Sequence, residues 1–125
     1  MTPTPRALYV YPEDEDSWLA WVTDYATRVA RPAWRRYHTR NAKGSDPGFP
    51  DLVLVRPPRL IFAELKTDSP RAKVTADQRA WLDDLAGVGI DPGWEDQARR
   101  RLSGPMVETY VWRPADRPDI ERILR

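Results

Sequence analysis

Apolar positions recur along the chain with two different periods. Across residues 14–30, Trp18, Val22, Tyr25 and Val29 are spaced by four, three and four, which predicts an amphipathic helix with one buried stripe. Asp14 or Asp16 can cap its start, where acids also suit the positive end of the helix dipole. Arg31-Pro32 ends it, because the residue before a proline is pushed out of helical geometry. Thr75 and Gln78 have capping-box spacing and open a second helix to about Leu85, with Trp81, Leu82 and Leu85 as its buried stripe. A third helix over residues 118–124 buries Ile120, Ile123 and Leu124. The other apolar runs are short and rich in β-branched residues. DLVLV (51–55) and LIFAELK (60–66) flank Arg56-Pro57-Pro58-Arg59 and predict a hairpin buried on both faces. Further strands are expected at 107–112, at 34–39 and, on an edge, at 7–11.

The order helix, strand, hairpin, helix, strand, helix predicts an α/β layer fold. The crossover from 60–66 through the second helix to 107–112 makes those two strands parallel. Residues 40–50 read as a polar loop. Residues 87–106 read as an irregular insertion with a short helix around 94–102. Trp18, Trp81 and Trp112 are expected in the core, and Trp94, inside the insertion, is expected to be exposed or at an interface.

The 125 residues suit a single domain, with 1–13 as an extended N-terminal segment. The chain has no cysteine, which excludes disulfides and thiolate metal sites and makes a cytoplasmic setting the expectation. No apolar stretch reaches the length of a membrane span, and residues 1–16 lack the pattern of a signal peptide. Net charge is only +1, but it is unevenly distributed. Glu13–Asp16 is acidic throughout. Residues 25–45 contain no acid, yet carry Arg28, Arg31, Arg35, Arg36, Arg40 and Lys43. A phosphate-binding face needs such asymmetry; a solvated arginine-rich surface is the alternative.

Candidate chemistry lies at Asp51 and at Glu64-Leu65-Lys66. Pairing about the Pro57-Pro58 turn sets Asp51 across from Glu64 or Leu65, and strand alternation sends Glu64 and Lys66 to one face. Three charges then meet between apolar strands, where unpaired charge is costly. Two carboxylates, with the Leu65 backbone carbonyl, offer the hard oxygens that Mg²⁺ or Mn²⁺ prefers. Lys66 is placed to orient or deprotonate a water, or to stabilise developing negative charge. The alternative is a structural ion pair; the Pro-Asp start, the spacing and the apolar context together favour catalysis. Arg35, Arg36, Arg40, Lys43, Arg71 and Lys73 are the expected nucleic-acid contacts, acting on the phosphate backbone, with the lone His38 in the same basic stretch. Gln78 can serve only as the partner of Thr75, or face inward to the site.

GFPDLVLV, IFAELK, TADQRAWLDDL and VWRPAD together resemble the VRR-NUC family of the PD-(D/E)xK nuclease superfamily, over roughly residues 15–124. The resemblance implies a restriction-endonuclease-like core with a mixed central sheet flanked by helices. It implies Asp51 and Glu64 as metal ligands, Lys66 as the catalytic lysine and Gln78 as a further active-site residue. Many members carry an acid on the first helix; Glu15 is the positional match, with Asp14 and Asp16 beside it. The implied activity is Mg²⁺- or Mn²⁺-dependent hydrolysis of DNA phosphodiester bonds. Stand-alone phage or bacterial members suggest endonucleolytic cleavage of branched DNA such as a Holliday junction, by a homodimer. A nickase or flap nuclease of the same fold is the near alternative. A non-catalytic nucleic-acid-binding module is the alternative of another class, and the intact Asp51/Glu64/Lys66 set argues against it.

Overall fold

A computed structural model describes residues 14–40, 46–88 and 107–125. The strand expected at 7–11, the helix expected around 94–102, Lys43 and Trp94 lie outside the described residues. Helix α1 (Glu15–Asp24) starts where expected: the Asp14 carboxylate accepts from the Ser17 N–H at 2.7 Å. A π-helical turn, Tyr25–Val29, follows it. Then come strands β1 (Arg35–His38), β2 (Leu52–Arg56) and β3 (Arg59–Leu65), helix α2 (Ala76–Ala86), strand β4 (Glu108–Trp112), a 3₁₀ turn and helix α3 (Arg117–Leu124).

The four strands form one sheet in the order β1-β2-β3-β4. The first three are antiparallel, and β4 lies parallel to β3 because the chain returns through α2. A mixed sheet with flanking helices is the α/β restriction-endonuclease-like core that the sequence implies. Among the described residues, no helix is long and apolar enough to cross a membrane.

Three expectations change. The hairpin is fully buried on one face only: Leu52, Leu54, Ile61 and Ala63 have no exposure, whereas Val53, Val55 and Phe62 on the other face are half-buried. The buried face carries the main core with Trp18, Val22, Trp34, Ile120 and Leu124. The other face is covered by α2, where Trp81 meets Phe49 edge-on and is half-buried, so Trp81 belongs to a thinner layer than Trp18 and Trp112. The third change is the stripe of the first helix. The π turn places one extra residue in the last turn, and Ala30 N–H reaches back to Tyr25 O. The inward face therefore runs Trp18, Val22, Ala26, Ala30, and Val29 is 55% exposed.

Two indole N–H groups tie the layers together. Trp18 Nε1 donates to Trp112 O at 3.0 Å and Trp34 Nε1 donates to Leu124 O at 2.9 Å. Both tryptophans thus bury their rings without stranding a donor.

Candidate active site

The pairing Leu52↔Ala63 brings the start of β2 beside the end of β3. Asp51, one residue before β2, is locked there: Leu65 N–H donates to Asp51 Oδ2 at 2.9 Å, and Thr39 N–H donates to Asp51 O at 2.8 Å. Glu64 faces the α2 side of the sheet and is 3% exposed. Its Oε2 accepts from Gln78 Nε2 at 2.8 Å and lies 3.5 Å from Lys66 Nζ. Its Oε1 is buried with no hydrogen-bond partner among the described residues. Burial and then the negative charge of neighbouring Asp51 push the Glu64 carboxyl up to about 8, while Lys66 pulls it partly back.

Gln78 satisfies both of its sequence readings. Its Oε1 accepts from Thr75 N–H at 2.9 Å and its own N–H donates to Thr75 Oγ1 at 3.1 Å, a complete capping box. The remaining Nε2 is what reaches Glu64. The start of α2 is brought this close by Gly48, whose φ is +89° and whose missing Cβ would stand 2.7 Å from the backbone carbon of Asp77.

On the α1 side, Glu15, Asp16, His38, Thr39, Asp51 and Leu65 line a cleft of about 200 Å³. The first-helix acid expected at the site is therefore Glu15 or Asp16 by position, with Asp14 occupied as the cap. Among the described residues, no three His, Cys, Asp or Glu side chains converge as a ready metal cage. Asp51 and Glu64 still fit a hard divalent cation. They are adjacent like charges, one of them buried with a free oxygen, and Mg²⁺ or Mn²⁺ takes few protein ligands and completes its shell with water or phosphate oxygens.

The basic residues divide. Arg36 pairs with Leu54 and His38 with Leu52, so both extend the α1 face of the sheet at its edge. Arg35 pairs with Val55 and lies on the opposite face with Tyr37, although the two arginines are neighbours in sequence. Arg71 and Lys73 are exposed on the loop 67–73 that follows Lys66. That loop is clamped by a residue the sequence reading did not single out. Arg113 donates to Thr67 O at 2.6 Å and to Ala72 O at 2.7 Å. Only the Trp112-Arg113-Pro114 motif hinted at it. Thr39 at the cleft wall carried no sequence signal.

An aspartate at the start of one strand, a Glu-x-Lys at the end of its antiparallel neighbour, and a mixed sheet between helices define a nuclease of the PD-(D/E)xK type. Comparison with known families agrees: the family model described as the VRR-NUC domain matches residues 12–93, and the chain belongs to the VRR-NUC family. The match ends before β4 and α3, so Arg113 lies outside it. No curated protein and no solved structure matches the chain.

Proposed function

We propose that the chain, as one nuclease domain, is a Mg²⁺- or Mn²⁺-dependent endonuclease that hydrolyses phosphodiester bonds in branched DNA as a homodimer. The observation that carries this reading is the buried Glu64 carboxylate, held by Gln78 and Lys66 with one oxygen left free beside Asp51. A purely structural ion pair has no use for a second, half-buried carboxylate at its side. Asp51 and Glu64, with the Leu65 carbonyl and Glu15 as further ligands, would hold the cation, which would supply Lewis acidity toward the scissile phosphate. Lys66 orients or deprotonates the attacking water and meets the charge that develops on the phosphate oxygens. Gln78 fixes Glu64 Oε2 from the helix side, so the other oxygen keeps its aim. Arg36, Arg40, Arg71 and Lys73 hold the phosphate backbone, together with Lys43; the first four are exposed and have no acidic partner among the described residues.

Linear, nicked, flapped and four-way DNA incubated with Mg²⁺, Mn²⁺ or EDTA tests the reading. Asp51→Asn, Glu64→Gln and Lys66→Ala are each expected to lower cleavage by about 10²–10⁴-fold while folding is kept. Full activity in any two of them sinks the assignment.

A further inference from the structure

A second groove, of about 530 Å³, opens beside the cleft at Asp51 and shares Asp16, Leu19 and His38 with it. One wall is the edge strand of the sheet, which contributes Arg36 and His38, continued by Arg40 just past its end; the other is α1 with its π turn, which contributes Ala20, Thr23 and Thr27. Because strand side chains alternate, Arg36 and His38 stand about 6.7 Å apart on one face of β1, and Arg40, two residues past its end, lines the same groove. This step is comparable with the separation of successive phosphates along one extended nucleic-acid strand. Charge favours the same occupant. Of the acids in the groove, Asp24 is 3.3 Å from Arg28 and engaged with it, which leaves Asp16 at the end next to the cleft. Arg36 and Arg40 have no acidic partner among the described residues. The small side chains opposite them leave space for a backbone, and the volume suits one strand, not a duplex.

We propose that this groove carries the phosphate backbone of a single-stranded arm leading from the scissile phosphate, read by Arg36 and His38 on one face of β1 and by Arg40 just beyond its end. The nuclease reading above identifies the ligand as nucleic acid; the groove adds that the preferred branch has an unpaired strand at the cut. Arg35 and Tyr37, on the opposite face, take no part.

The test is binding in EDTA, by fluorescence anisotropy. The probes are a labelled single-stranded oligonucleotide, a blunt duplex of the same sequence and a flapped duplex. Wild-type protein is expected to bind the single strand and the flap more tightly than the blunt duplex. Arg36→Gln combined with Arg40→Gln is expected to weaken single-strand binding at least tenfold. Losing two phosphate contacts should reduce the slope of log affinity against log salt by about 1.4. Arg35→Gln is expected to stay within twofold of wild type. The proposal is overturned if Arg35→Gln costs as much as the pair, or if the blunt duplex is the better ligand. Cleavage with Mn²⁺ is measured in parallel. Face-selective single-strand binding without cleavage would uphold the groove and overturn the nuclease reading.

Discussion

Glu64 carries more of the site's physics than any other residue. Its carboxyl sits well above its ordinary value of 4.5 because burial and Asp51 both oppose ionisation. An acid whose folded value is raised stabilises the fold fully below its unfolded value, and that contribution is lost as pH rises toward the folded one. In EDTA, the thermal midpoint of the protein is therefore expected to fall between about pH 5 and pH 8. Glu64→Gln should flatten that decline, and Mn²⁺ should recover stability mainly at the alkaline end, where both carboxylates are ionised. Thermal melts across the pH range, with and without cation, decide it; parallel curves for wild type and Glu64→Gln count against it. Gln78 is instructive at the same scale. In the sequence its cap role and its site role read as competitors, yet an amide has a separate donor and acceptor, and the fold uses one for each.

Elements place these residues through two contacts that periodicity does not encode. The first is the approach of the 46–50 loop to α2. Gly48 has a positive φ and no room for a Cβ, so Gly48→Ala is expected to destabilise by about 1–3 kcal/mol in urea titrations. It should also reduce cleavage beyond that loss, because α2 moves and takes Gln78 with it. A fully active, equally stable variant would show that the approach is not needed. The second contact is the fork of Arg113, which reaches from the end of β4 to two carbonyls of the loop 67–73. Arg113→Ala is expected to speed amide exchange in that loop, measured by mass spectrometry, while the central strands stay protected. Uniform exchange across loop and core, or no change at all, argues against a local clamp. The π turn acts at this scale too. By adding one residue before the helix ends, it turns Ala26 and Ala30 inward and leaves Val29 in solvent.

The whole molecule has the asymmetry its charge pattern announced. The cleft at Asp51 and the basic groove lie on the α1 side of the sheet, whereas Glu64 and Gln78 meet on the face that α2 covers. A two-fold dimer suits cutting of paired strands, since two sites held in a set relation can act within one encounter. The N-terminal segment 1–13 and residues 89–105, where the interface of such a dimer is proposed, lie outside the described residues. Analytical ultracentrifugation with junction DNA at micromolar concentration is expected to show a dimer, and a monomeric variant is expected to keep nicking but lose paired cuts. Paired cuts by a protein that stays monomeric would refute the dimer.

The types of the described helices and strands, the hairpin, the parallel return through α2 and the meeting of Asp51, Glu64 and Lys66 were legible along the chain. Each depends on local terms: period, caps, turn residues, and the alternation that sends Glu64 and Lys66 to one face. What was not legible depends on distances across the fold. The π turn shifted the stripe of α1 because packing against the sheet, not intrinsic propensity, chose the last turn. Alternation puts Arg35 and Arg36 on opposite faces, but only the register with β2 decides which of them joins the α1 side. Arg113 stands forty-six positions from Thr67, and no short-range pattern joins them. The sequence by itself determined which residues could do the chemistry; the tertiary structure alone decided which of them meet, because burial and alignment of polar groups are set only when separate elements pack.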